Sequence, residues 1–378
     1  MRRTVNLAGP GVKEPVATVA RIGNFWATSS IPGIDPQTGG LAEAPEAQFA
    51  QAFANAQALL GEAGLSTREV GLLTVVIPDA SGRPLINAPW LAMYRTDDRP
   101  ARKTTHAPLP PGQVVQIQLF GVTGVRRQPI EIPGIQHRDP LPVGVRMGNL
   151  LFSSVLGGDV PGSDERPQGN AQIAQLFANM GALVEHGGGK IDDIALVWMY
   201  VANFGSNKAF IEEQWLAMFP RDGDRSARKT FPYQLGGQTL IQAQLIAVLG
   251  GERANYEVEG IGHGDPVPLA MTIGGYLFTS GITGTDPATR ERREGAEAQT
   301  RQALENLRAV YAKAGGTMDD ILQVTVLIAG EPQRAGVHAA WRQVFPDRAN
   351  QPALHVMNLG LPGRDTLAQV HAVGVLPA

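Results

Sequence analysis

The sequence predicts an α/β fold: three tandem domains of one kind, each running β-β-α-β-α-β-β, gathered about a pseudo-threefold axis. The first observation is a motif at a fixed interval. Arg102 stands in Arg-Pro-Ala-Arg-Lys-Thr (99–104), Arg228 in Arg-Ser-Ala-Arg-Lys-Thr (225–230) and Leu354 in Gln-Pro-Ala-Leu-His-Val (351–356), each 126 residues from the last in a chain of 378. The second is that other landmarks keep step. Gly23-Asn24, Gly148-Asn149 and Gly274-Gly275 each open an apolar segment, and Trp90, Trp215 and Trp341 each have an aromatic four residues on (Tyr94, Phe219, Phe345), the spacing of one helix face. A self-similar period is the mark of a repeated structural unit, and a unit of this length is an ordinary domain. The three units are expected at 1–127, 128–253 and 254–378.

Each unit opens on two short apolar segments, as at 147–155, or at 271–273 with 276–282. A turn follows at Asp35-Pro36, Pro161-Gly162 or Asp286-Pro287, where the residue types favour turn backbone. Next comes an amphipathic helix. Ile173, Phe177, Met180 and Val184 recur at three and four residues, as do Leu304, Leu307 and Tyr311. Gly64, Gly187 to Gly189 and Gly315-Gly316 stop these helices. Strand-like runs at 72–77, 194–201 and 321–328 follow, then a second helix carrying the Trp and its aromatic partner. Two strands close the unit. One starts at the Arg102, Arg228 or Leu354 position; the other runs 114–120, 240–248 or 367–375. Stretches rich in charge, Pro and Gly at 125–134 and 250–260 read as the joins between units.

Composition narrows the function classes. With 43% hydrophobic residues the chain can bury sizeable cores, and a net charge of −3 offers no electrostatic footprint for nucleic acid. The absence of cysteine excludes disulfides, a thiolate nucleophile and cysteine-ligated metal. The N-terminal residues lack an apolar signal core, and no run approaches membrane-spanning length. A cytoplasmic protein without membrane or nucleic-acid partners is expected. The histidines do not recur at metal-ligand spacing, so no metal is expected either.

Several pieces resemble the Rid (YjgF-type) family of reactive-intermediate deaminases: Thr-Ser-Ser-Ile-Pro-Gly-Ile-Asp-Pro-Gln-Thr-Gly (28–39), Phe-Thr-Ser-Gly-Ile-Thr-Gly-Thr-Asp-Pro (278–287), Phe-Pro-Asp-Arg (345–348) and Pro-Ala-Arg (100–102). The likeness extends over nearly the whole chain. It implies a chorismate-mutase-like α/β domain in each unit. Family members are homotrimers with ligand clefts between subunits, and this chain resembles such a trimer fused into one polypeptide, a monomeric pseudo-trimer or a dimer of it. The implied chemistry is hydrolysis of a small carboxylate-bearing enamine or imine, 2-aminoacrylate-like or aminomuconate-like, with release of ammonia and no cofactor. Arginine suits the anchor, because its planar fork grips a carboxylate in two bonds. The family's anchor maps onto Arg102 and Arg228, with Leu354 at the third position.

Departures from the family pattern fall at the catalytic positions. Imine-deaminating members carry a glutamate on the last strand; here the matching residues are Gln116, Gln242 and, allowing one inserted residue, Gln369. Glutamine holds a water by hydrogen bonds but cannot take its proton at neutral pH. A cleft glycine of the family is Gly281 in the third unit, Ser30 in the first and Val155 in the second. Histidine is the candidate substitute as acid or base. His137 lies in Gln-His-Arg-Asp-Pro-Leu-Pro (136–142) and His263 in Gly-His-Gly-Asp-Pro-Val-Pro (262–268), again 126 apart, with Val12 at the aligned first-unit position.

Each of these residues also has a purely structural reading. Arg102 and Arg228 could pair with an interface carboxylate, the two histidines could sit on rigid turns, and the glutamines could satisfy backbone groups at a seam. His106, His355 and His371 read as interface or core residues, and the three tryptophans as helix packing. Two further functions stay open: a non-catalytic binder of carboxylate metabolites, favoured by glutamine at every repeat, and a cyclic-amide hydrolase of the three-repeat barbiturase type. The latter relies on a Ser-Lys pair that does not recur visibly here.

Overall fold

The computed structural model describes residues 1–12, 18–96, 98–262, 264–361, 363 and 365–377. Each unit forms one seven-stranded mixed sheet. In the first unit the strands run Arg3–Asn6, Thr18–Ile22, Phe25–Thr28, Gln116–Val122, Val70–Ile77 and Ala101–His106 across the sheet, with the short Ile31–Pro32 also on Gln116–Val122. All neighbours are antiparallel except Val70–Ile77 and Ala101–His106. That parallel pair needs a crossover, which helix α2 (Arg83–Met93) provides. The other units repeat the order, with parallel pairs Ile194–Val201 on Ala227–Pro232 and Ile321–Ile328 on Ala353–Asn358.

The helices lie on one face of each sheet. They are α1 (Pro45–Glu62) and α2, then α3 (Asn170–His186) and α4 (Phe204–Met218), then α5 (Ala296–Lys313) and α6 (Arg334–Val344). Because strand side chains alternate between faces, the central strand serves two cores. Leu73, Val75 and Ile77 pack under α1 and α2 with Phe49, Leu59 and Trp90, whereas Leu72 and Val76 enter a core shared by all three sheets. In that shared core Phe25 of the first unit meets Phe152 of the second at 6.4 Å and Tyr276 of the third at 5.5 Å between ring centroids. The tandem three-domain arrangement is therefore one packed body around a common centre. Among the described residues no helix is long and apolar enough to cross a membrane.

Two strands per unit escape the sequence reading. The stretches read as joins contain the strands Gln128–Ile130 and Arg253–Tyr256, which open the second and third sheets. They are edge strands, where charge and Pro are tolerated because one side makes no ladder. The other missed strands are Arg3–Asn6, which opens the first sheet, and Ile31–Pro32, Leu156–Gly157 and Ile282–Thr283, of two residues each.

An arginine at the head of each sheet's first strand ties that sheet to the preceding unit. Arg127 donates to the carbonyls of Thr67 and Val70 (2.6 and 2.7 Å) and to Asp98, beneath the Tyr94 ring. Arg253 does the same to Ile194 and Asp224 beside Phe219. Arg2 closes the ring by donating to Met318 and Ile321 (2.8 and 2.7 Å) and to Asn350 of the third unit, beside Phe345. Arg2 is 4% exposed, and burial lowers its pKa to about 10, still well above neutrality.

Candidate active-site clefts between the repeats

The strand that carries the Arg-Lys motif is the free edge of its sheet, and each such edge docks on the following unit. Arg102 N donates to Ser154 Oγ at 3.0 Å, and Arg228 N to Ser280 Oγ at 3.1 Å. At the third seam Ser30 N donates to Leu354 O at 3.2 Å. The wall supplied by the following unit is held in place by a helix asparagine. Asn55, Asn179 and Asn306 each donate to two carbonyls of that wall, at 2.7–2.9 Å.

Four positions meet at every seam. The first seam joins Arg102, Lys103, Val155 and Gln242; the second, Arg228, Lys229, Gly281 and Gln369; the third, Leu354, His355, Ser30 and Gln116. Gln116 pairs with Pro32, Gln242 with Gly157 and Gln369 with Thr283, the same register position in each sheet. Gln369 is thus the third copy despite the inserted residue. Gly281 lets Gln369 lie close, since a Cβ there would stand 2.5 Å from Gln369 Nε2 and the amide would have to shift; the other seams hold Ser30 and Val155 at this position.

The first cleft opens on a cavity of about 1070 Å³ lined by Arg102, Lys103, His137, Asp139, Val155 and Gln242, among others. Arg102 meets the histidine segment of the following repeat. Its Nη2 donates to Asp139 Oδ2 at 2.7 Å and its Nη1 to Asn87 Oδ1 at 3.0 Å, while Asn87 also donates to Asp139. The guanidinium lies 4.8 Å from the Trp90 ring. Burial lowers the Arg102 pKa, and the Asp139 charge opposes that shift. His137 is shifted down by burial, with Asp139 opposing, and its Nε2 is buried without a hydrogen-bond partner among the described residues.

At the second seam the same parts are wired differently. Asp265, the counterpart of Asp139, pairs with Lys208 at 2.8 Å. Arg228 is 5% exposed and packs 4.6 Å from the Trp215 ring, and its Nη1 is buried with no hydrogen-bond partner among the described residues. Burial lowers its pKa to about 10, so the guanidinium keeps its charge. His263 lies outside the described residues. Pro266 is held as its counterpart is, since Trp215 Nε1 donates to Pro266 O (3.1 Å) as Trp90 Nε1 does to Pro140 O (3.2 Å). The tryptophans thus do more than pack: they support the arginine from below and hold the neighbouring loop.

The third seam lacks the motif arginine, although Arg334, His338 and Arg342 also line its cavity. Leu354 replaces the arginine in a cavity of about 310 Å³ lined by Leu7, Val12, Trp341 and Leu354 together with Ser30 and Gln116. Ser30 Oγ lies 2.8 Å from His355 Nδ1, and burial holds His355 neutral with a pKa of about 3. Gln116 Nε2 donates to Gln113, and its Oε1 is buried without a partner among the described residues.

Sequence reasoning passed over two residues that stand inside its own motifs, Lys103 and Lys229. Lys103 Nζ donates to Gln242 Oε1 at 2.9 Å, and Lys229 Nζ donates to Gln369 Oε1. They are 2% and 6% exposed, and among the described residues neither makes a salt bridge. Burial lowers their pKa values to about 7 and about 8. The available signal was a lysine recurring at the repeat interval on an apolar strand, where lysine is rare unless paired. His355 stands at the equivalent third position, as the strand register shows.

The comparisons with known proteins agree with this organisation. The Endoribonuclease L-PSP family model matches residues 10–122 and 266–367, in the first and third repeats. A RutC family protein of Synechocystis sp. is 34% identical over 114 residues, 30% of this chain and 87% of that protein. A 2-iminobutanoate/2-iminopropanoate deaminase of Salmonella typhimurium is 30% identical over 111 residues, 29% of this chain and 87% of that protein. A chorismatase crystal structure matches over 82% of this chain and 93% of its own, with a TM-score of 0.56 and 16% identity, a likeness of fold across the three units. With the family model spanning more than half of its length, the chain belongs to the Endoribonuclease L-PSP family, the Rid (YjgF-type) family that its motifs resemble.

Proposed function

We propose that the chain is a hydrolytic deaminase of small carboxylate-bearing enamines or imines, 2-aminoacrylate-like or aminomuconate-like, working at the seams between its repeats. The observation that carries this reading is the buried Arg228 guanidinium with an unpaired Nη1. An unmade hydrogen bond on a buried charged group is costly, and a substrate carboxylate is the group that best fills the vacancy. The Salmonella relative, a 2-iminobutanoate/2-iminopropanoate deaminase, supplies the reaction class.

In this reading Arg102 and Arg228 anchor the carboxylate, and at the first cleft the substrate competes with Asp139 for the guanidinium. His137, with His263 as its counterpart, moves the proton at the enamine carbon. Gln242 and Gln116 orient the attacking water through their amides, while Ser30, Val155 and Gly281 set the room above the glutamine. The chain works as a single pseudo-trimer or a dimer of such units. A second reading, binding without turnover, draws on the glutamine found at 116, 242 and 369, where the deaminating pattern has glutamate.

Ammonia release decides between them. Freshly generated 2-aminoacrylate, longer 2-imino acids and aminomuconate-like compounds are offered in turn. Turnover of any one supports the deaminase, whereas binding across the panel with no ammonia leaves the binder.

A further inference from the structure

We infer that the Arg-Lys motif is a reactive pair, in which Lys103, and Lys229 in the equivalent place, attacks the substrate carbon and holds it as a covalent imine while ammonia leaves. The inference rests on the deaminase reading for the identity of its substrate. Its geometry stands separately. Lys103 and Arg102 are neighbours in sequence and line the same cavity of about 1070 Å³. The Lys103 amine points at an uncharged acceptor, Gln242 Oε1, and rests 4.4 Å from the Tyr200 ring centroid. Lys229 repeats the arrangement with Gln369 and lies 5.7 Å from the Phe231 ring.

Neither lysine makes a salt bridge among the described residues, although both are buried and the Asp265 charge acts on Lys229 at longer range. A buried ammonium without a carboxylate is an expense that a purely structural site avoids. The fold does not need it, because the third unit forms the same sheet with His355 at this position. Burial is also what makes a lysine a nucleophile, since the neutral amine carries the lone pair. The lowered pKa values, about 7 and about 8, leave a large neutral fraction near neutral pH.

The chemistry balances without a co-reactant. The neutral Nζ adds to the iminium carbon, and the π pair returns to the substrate nitrogen, giving a gem-diamine. A proton passes from Nζ to the substrate nitrogen, the carbon–nitrogen bond of the substrate breaks, and ammonia departs. The remaining imine joins Nζ to the substrate carbon. Water adds to that carbon, the carbon–Nζ bond breaks with proton return to Nζ, and a 2-oxo acid is released. The net reaction is imine plus water to 2-oxo acid plus ammonia. In this sequence glutamine suffices where the family has glutamate, because the amine supplies the base.

The same intermediate forms in reverse from a 2-oxo acid, which makes it trappable. The full-length chain is incubated at pH 7 with pyruvate or 2-oxobutanoate and sodium borohydride, then mapped by peptide mass spectrometry. The expected result is a reduced adduct at Lys103 or Lys229 in large excess over the exposed Lys190 and the helix-end Lys313. Labelling of those two no faster than of Lys190 and Lys313 would overturn the inference. No variant is required, so a folding defect cannot confuse the outcome. Ammonia release without an adduct removes the lysine step and leaves the deaminase. An adduct without ammonia release keeps the reactive lysine and removes the deaminase reading.

Discussion

Lys103 Nζ and Gln242 Oε1 meet at 2.9 Å across the seam between the first and second repeats. The amide accepts the amine's hydrogen without adding charge, so nothing in that contact holds the lysine protonated. Changing Gln242→Glu places an opposite charge within hydrogen-bond distance, which favours the ammonium and raises the lysine pKa. A shift of one unit leaves about tenfold less neutral amine at pH values below the pKa. Because Lys103 starts from a pKa of about 7, a one-unit rise takes its neutral fraction at pH 7 from about 50% to about 9%, so trapping by 2-oxo acid and borohydride is expected to slow about fivefold there, with its pH profile displaced to the alkaline side. An unchanged profile would show that the glutamine does not govern the amine.

The buried histidines near the common centre set an acid limit on stability. Burial lowers His355 and His371 to pKa values of about 3, against an ordinary 6.5. Between those values the unfolded chain binds protons that the native chain refuses, so stability rises with pH across the window. It is fully present above pH 6.5 and is lost as the pH falls toward 3. His371 occupies the position of Gln118 and Gln244 in the other sheets. Changing His371→Gln is expected to flatten the fall in Tm between pH 6.5 and 4, removing up to about 1.4 kcal/mol per pH unit. Equal slopes for the variant and the parent chain would show that His371 is not the acid-labile group.

Much of the architecture was legible because a repeat interval is a long-range signal. The Arg102/Arg228/Leu354 spacing and the tryptophan i, i+4 pairs identify units, helices and edge strands alike. The two-residue strands were not legible, since a run as short as Ile31–Pro32 carries no period. Val125 to Gly134 misled for a physical reason: an edge strand tolerates the same charge and proline as a linker. At the clefts, Arg102, Gln242 and Val155 were each identifiable by position, but their grouping across a seam was not, because handedness decides which repeat supplies the other wall. The structure places Arg102 beside His137 of the following unit. Lys103 went unread because a lysine next to a motif arginine looks like a solvated strand residue until its burial is seen.

Arg2 is the buried cation by which the first unit holds the third. Removing it leaves the carbonyls of Met318 and Ile321 without their charged donor. Hydrogen bonds to charged groups contribute more than neutral ones, and Arg2→Ala is expected to cost about 2–4 kcal/mol in urea denaturation. Because the shared core remains, light scattering should still report a 40.2 kDa chain or a dimer of it. Undiminished stability would remove Arg2 as the ring closure, and a trimer of chains would contradict the single-chain pseudo-trimer.

The three seams differ in what they offer a carboxylate. Arg102 is engaged by Asp139 and Asn87, Arg228 has an Nη1 without a partner among the described residues, and at the Leu354 position the motif cation is gone, leaving Arg334, paired with Glu331, and Arg342 in the cavity lining. Calorimetric titration with a tight-binding carboxylate analogue tests this inequality most directly. One or two sites per chain are expected, with Arg228→Ala weakening the tightest by on the order of 3–5 kcal/mol, the cost of leaving a desolvated charge unpaired. Three equivalent sites per chain, or isotherms unchanged in both Arg228→Ala and Arg102→Ala, would contradict it.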